Sequence, residues 1–132
     1  MLNLFDSLVA PILNYGSEVM GFKVSQQIER VHLNFWKKLL GVKKTTQNDF
    51  IYGELGRISF HCRHVFNIIK YWIKIISSKE SKYISRIYKL LKNEFEVHQN
   101  IVNWCSQLKN ILSSLGFYEA WLQQSVGNNE IF

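Results

Sequence analysis

Apolar side chains recur at three- and four-residue intervals along most of this chain, which predicts helices almost throughout. Leu4, Phe5, Leu8, Val9, Ile12 and Leu13 keep that period over residues 2–15, and Pro11 predicts a bend or split near Ala10. Gly16 to Val24 carries Val19, Met20 and Phe22 and is expected to extend this first helix before a turn near Gly21. Ser25 suits an N-cap, and Gly41 suits the position just past the end of a helix reaching Leu40. That helix would bury Ile28, Val31, Leu33, Phe35, Trp36, Leu39 and Leu40 and turn Arg30, Asn34, Lys37 and Lys38 outward.

Lys43 to Asn48 reads as a polar loop, with Thr46 or Asn48 placed to cap a short helix that ends at Gly56. The longest element is expected from Ser59 to Ser77. Its apolar side chains, Phe60, Val65, Phe66, Ile68, Ile69, Trp72, Ile73, Ile75 and Ile76, leave a single polar stripe of Arg63, Asn67, Lys70 and Lys74. A further helix after Lys79 would set Tyr83, Ile84, Ile87, Tyr88, Leu90 and Leu91 on one face and Lys82, Arg86, Lys89 and Lys92 on the other. Asn100 or a neighbour is expected to cap the next helix, whose stripe runs from Ile101 through Trp104, Cys105, Leu108, Ile111 and Leu112 to Leu115 before Gly116. A short turn over Phe117 to Gln124 would then fray at Gly127, Asn128 and Asn129. No stretch alternates with period two and no Asn-Gly or Asp-Gly hairpin signal occurs. The fold class is therefore all-α, an irregular bundle of about six helices around the Ser59 to Ser77 helix.

Composition narrows the function classes. A chain of 132 residues, 47% of them hydrophobic, is long enough to bury a core as one domain, and 20% charged residues with one Pro argue against disorder. Cys62 and Cys105 lack the spacing of a disulfide framework and read as reduced, buried thiols. No apolar run approaches the roughly 20 residues that span a bilayer, and no basic leader precedes the first apolar stretch, so an intracellular protein, nuclear or cytoplasmic, with no membrane partner is expected. The net charge of +6 is concentrated: Lys23 to Lys92 holds fifteen Lys or Arg against Glu29, Asp49, Glu54 and Glu80. Such a segment attracts polyanions, and its preponderance of lysine suits phosphate contacts better than base reading. The candidate nucleic-acid-binding residues are Arg30, Lys37, Lys38, Lys43, Lys44, Arg63, Lys70, Lys74, Lys82, Arg86 and Lys89.

Catalytic chemistry finds no complete set. His61, Cys62 and His64 share one helical stretch, but a structural zinc wants four ligands, and His32, His98 and Cys105 are not in paired spacing, so no metal is assigned and both histidines are placed at the edge of the core. Glu54 is as well suited to a helix N-terminus or to a pair with Arg57 as to catalysis. There is no Walker-type loop, no dinucleotide fingerprint and no Asp-Asp doublet for Mg²⁺, so no cofactor is assigned.

Three stretches in order carry a family resemblance: LFDSLVAPILNYGSEVMGF (Leu4 to Phe22), IERVHLNFWKKLLGVKKTTQNDFIYGELGR (Ile28 to Arg57) and IIKYWIKII (Ile68 to Ile76), with NWCSQLKNILSSLGF (Asn103 to Phe117) and Trp121 adding to them. The series resembles the region after the palm in jockey-like, LINE-type non-LTR retrotransposon reverse transcriptases, with departures at Met20, Gln47 and Ile58-Ser59. The resemblance implies a thumb-like part over residues 1–57 followed by C-terminal helices over 58–132, contact with RNA or RNA–DNA duplex, and a partner in the catalytic palm of the parent chain. The Asp-Asp palm of that family would precede Met1, so this chain is expected to be no enzyme by itself. The alternative is a non-catalytic helical interaction module or relic without a nucleic-acid role.

Overall fold

In the computed structural model, which describes residues 2–79 and 82–127, every regular element among the described residues is helical. The expected fraying at Asn128 and Asn129 lies outside those residues. Two compact units divide the chain, Met1–Phe66 and Asn67–Phe132. The division falls inside the longest helix.

In the first unit, α1 (Leu2–Leu4) leads into one wide π-helical turn, Phe5–Val9, and then α2 (Ala10–Leu13). Pro11 has no N–H to offer the preceding turn, and the backbone widens there, with the Ala10 N–H reaching back to the Phe5 carbonyl. The expected bend is realised as this bulge, which leaves Phe5 and Ala10 both buried. Gly16, at φ +69°, ends the segment, so α3 (Ser17–Met20) is a separate turn and not an extension of the first helix. Gly21 follows, where an added Cβ would come within 2.9 Å of the His64 Cβ.

Helix α4 (Gln26–Leu39) begins as its sequence predicts, with the Ile28 N–H donating to Ser25 Oγ at 3.4 Å. Helix α5 (Asn48–Leu55) ends on Gly56 at φ +59°. Gln47 occupies its N-cap position without a side-chain bond, so neither Thr46 nor Asn48 caps it. The Asn48 amide oxygen is engaged elsewhere. Helix α6 (Phe60–Ile76) opens with the Cys62 N–H donating to Ser59 Oγ at 3.2 Å. The core of this unit gathers Phe5, Ala10, Leu33, Trp36, Ile51 and Phe60, with Val9, Leu13, Ile28 and Phe35 packed around it. Val31 and Phe66, assigned above to apolar arcs, are exposed.

In the second unit, Ile68, Trp72, Ile73 and Ile75 of α6 are buried together with Tyr88 of α7 (Tyr83–Val97), Cys105, Leu108 and Leu112 of α8 (Trp104–Ser114) and Trp121 of α9 (Tyr118–Gln123). Asn103, not Asn100, caps α8, in a reciprocal box with Ser106 whose bonds are both 3.0 Å, while the Asn103 amide also donates to the Leu91 carbonyl at 2.9 Å. The buried Trp72 indole donates to the Tyr88 hydroxyl at 3.0 Å, and that hydroxyl donates to Gln124 Oε1 at 2.6 Å. Gln124 stands in the left-handed region at φ 50° and is held there by this bond and by its own donation to the Trp121 carbonyl. Burial pushes the Tyr88 hydroxyl up to about 12 and the Cys105 thiol up to about 11. Cys105 is buried as expected, whereas Cys62 is exposed, because the first turn of α6 turns it away from the core.

Candidate nucleic-acid interface

The basic end of the first unit is built around a lysine that does not face solvent. Lys37 continues the row of Leu33 one turn further on, beside Trp36, and shares their burial at 7% exposure. Its ammonium donates to the Lys44 carbonyl and to Asn48 Oδ1, each at 2.9 Å. The assignment of Lys37 to the outward cationic face is therefore corrected. It anchors the 41–47 loop instead, aided by the Val42 N–H to the Lys37 carbonyl and the Thr46 N–H to the Lys43 carbonyl. Held this way, the loop presents Lys43 and Lys44 on the surface, next to exposed Lys38 at the end of α4. Arg30 is exposed two turns earlier and borders an open groove of about 300 Å³ whose other walls are Gln26, Glu29, Leu33, Asn34, Lys37 and Asn48. Exposed Arg30 and the amides of Gln26, Asn34 and Asn48 thus share one groove with the Glu29 carboxylate. The amides add hydrogen-bonding capacity for sugar or phosphate oxygens.

Glu29, on the wall of that groove, ties three helices together. Its carboxylate accepts from the Tyr52 hydroxyl of α5 at 2.5 Å and from the His61 N–H at the start of α6 at 3.1 Å, a charge-assisted arrangement at a helix N-terminus. Burial, with the bond to Glu29 second, holds the Tyr52 hydroxyl well above the usual phenol range. His32, at 0% exposure, sits among Phe5, Trp36, Tyr52 and Phe60, its ring 4.6 Å from that of Phe60. Its Nδ1 is 3.8 Å from Glu29 Oε2, too long for a hydrogen bond, and desolvation lowers the imidazole to about 4 against the partial opposition of Glu29. The ring is neutral at pH 7.

Arg63 is partly buried, its guanidinium 5.4 Å from the Phe60 ring centroid and 4.0 Å from Asp6. Asp6 is in turn gripped by Arg57 through two bonds of 2.7 and 2.6 Å, and Arg57 stacks over Trp36 at 4.3 Å. The bond from Arg57 holds the Asp6 carboxyl below its ordinary range. Arg57 therefore pairs with Asp6, a partner 51 residues away, and not with exposed Glu54. His64 is buried with Nε2 3.3 Å from the Leu13 carbonyl, and desolvation lowers its pKa. Among the described residues no group of three or more His, Cys, Asp or Glu is placed to hold a metal ion.

The second unit carries its own cations. Lys70 and Lys74 are exposed on α6, and Lys82, Arg86 and Lys89 are exposed at and along α7. A groove of about 340 Å³ is lined by Tyr71, Lys74, Ile75, Ser77, Ser78, Lys82 and Ile84. Sequence reasoning missed the Glu29, Tyr52 and His61 junction and the Asp6 to Arg57 pair. Both join positions far apart in the chain, and the one local signal was the i, i+3 spacing of Glu29 and His32.

No helix among the described residues is long and apolar enough to cross a membrane. No family model and no solved structure matches this chain. An uncharacterised transposon-derived protein of Caenorhabditis elegans is 33% identical over 72 residues, which are 52% of this chain and 26% of that protein's length. The matched region is thus about a quarter of the relative. That similarity, in an all-helical chain, supports an origin in a transposable element.

Proposed function

We propose that this transposon-related chain is a non-catalytic nucleic-acid-binding module, comparable to the thumb and following segment of a non-LTR retrotransposon reverse transcriptase. It grips RNA or RNA–DNA duplex by its phosphates. The observation that carries this reading is the loop pinned by buried Lys37, which leaves Lys43 and Lys44 exposed close in sequence to exposed Lys38, while Arg30 stands exposed earlier on the same helix beside a groove lined by Gln26, Asn34 and Asn48. Pre-ordering the loop lowers the entropy lost on binding. Lysine at three of the four positions favours contact with any sequence over recognition of one. Catalysis would belong to a polymerase palm elsewhere in a parent chain.

Titrating labelled RNA–DNA and RNA duplexes with the protein across a salt series tests this. Affinity should fall log-linearly with salt and be indifferent to sequence, and replacing Lys38, Lys43 and Lys44 by Gln should flatten the slope by up to about 0.9 for each phosphate no longer neutralised. Absence of binding at low salt would overturn the reading. That result would favour a helical interaction module, for which the exposed apolar row of Leu4, Leu8, Ile12 and Tyr15 is the supporting observation.

A further inference from the structure

Helix α7 has two apolar faces where the sequence reading placed one. Ser85 and Tyr88 are buried and Ile84, Leu91 and Phe95 half-buried, so this face packs within the second unit. Tyr83, Ile87, Leu90 and Val97 instead stand 82%, 56%, 68% and 72% exposed. Their spacing of four, three and seven is that of a coiled-coil seam, and Glu94 occupies the seam position left between Leu90 and Val97. At 100° per residue the five side chains fall within an arc of about 80°. Arg86 borders the first half of this stripe while Glu94 lies in the second. Both are exposed, and among the described residues neither takes part in an ion pair.

We propose that α7 pairs with α7 of a second copy of this chain, antiparallel, across a two-fold axis at Leu90. In that register Leu90 meets Leu90 of the other copy and Tyr83 meets Val97. Arg86 meets Glu94, and symmetry makes this pairing twice. The charge order selects the direction. A parallel pair would set Glu94 against Glu94 within an apolar seam, a like-charge juxtaposition that costs free energy, whereas the antiparallel pair neutralises each carboxylate. A phosphate backbone is a poorer occupant, because the Glu94 carboxylate stands within the stripe. A single seam of fifteen residues is short of the roughly 800 Å² per partner of standard interfaces, so the association is weak and concentration-dependent. The inference is independent of the nucleic-acid reading, and it removes Arg86 from the set of candidate phosphate contacts.

Cysteine cross-linking of the full chain decides orientation, in a Cys62→Ser background because that native thiol is exposed. In the antiparallel pair the two copies of residue 83 are about 21 Å apart along the axis, fourteen residues at 1.5 Å each. Leu90→Cys alone should form a disulfide dimer, Tyr83→Cys alone should not, and a mixture of Tyr83→Cys with Val97→Cys should. Dimers of Tyr83→Cys without the mixed product would overturn the proposed direction. Sedimentation without engineered cysteines supplies the second readout: Glu94→Arg should weaken self-association about tenfold, and Arg86→Glu combined with Glu94→Arg should restore it. A chain that stays monomeric at high concentration, or a dimer unaffected by these changes, overturns the proposal. All these positions are exposed, and unchanged helical circular dichroism confirms that each variant is folded.

Discussion

Glu29 serves three helices with one carboxylate, accepting from Tyr52 and from the His61 backbone while projecting from the first turn of α4. Exchanging it for Gln keeps the shape but removes the charge from both bonds, and the expected loss is about 1.5 to 3 kcal/mol in denaturant unfolding. Tyr52→Phe, which deletes one bond and leaves the other, should cost about 1 kcal/mol. His32 gives this region a pH dependence. Its folded-state value of about 4 lies below the ordinary 6.5, so the unfolded chain binds the extra proton first and stability falls as pH is lowered from about 6.5 to about 4, by up to about 3 kcal/mol. Imidazole resonances followed by NMR should titrate His32 near 4; a midpoint near 6.5 would show that the ring is not buried as described. Sequence patterning could have found Lys37, since it stands four residues after Leu33 on the buried row, but residue type outweighed position on the helical wheel. Nothing local could have revealed that a lysine there would find the Lys44 carbonyl and Asn48, because that depends on how the loop returns.

Helix ends were the most legible features, for capping is local chemistry. Ser25 and Gly56 act where their types predict, and Ser59, expected to begin the longest helix, caps α6. Where two residues of one type compete, the sequence does not decide. Asn103 won over Asn100 because its side chain also reaches the Leu91 carbonyl, a tertiary bond invisible to local reasoning. Asn103→Ala should therefore cost more than an ordinary cap, about 2 kcal/mol against the usual 1, measured by thermal or urea unfolding. Asn100→Ala, at an exposed turn, should be near neutral. The two faces of α7 escape the sequence pattern for a different reason. Periodicity identifies apolar positions but cannot say whether a helix has one packed neighbour or two, and among the described residues Tyr83, Ile87 and Leu90 stay exposed.

At the scale of the whole chain, α6 supplies Phe60 to the core of the first unit and Ile68 and Trp72 to that of the second, with the division after Phe66. A helix shared in this way has carbonyls on one side of the division that accept N–H groups from the other, so loss of its C-terminal half would strip the last turn of the remaining half of its bonds. The cores themselves draw on separate side chains. Leu108→Ala, deleting a fully buried side chain of the second core, should destabilise that unit by about 2 to 5 kcal/mol. Hydrogen exchange should then quicken through α7, α8 and α9 and the adjoining half of α6, while the amides of α4 and α5 keep their protection under the Glu29 junction. Equal acceleration in α4 and α5 would show that the helix couples both units into one cooperative fold. In that case the pinned lysine loop would owe its order to the second core as well, and Leu108→Ala would weaken nucleic-acid binding without touching a single cation.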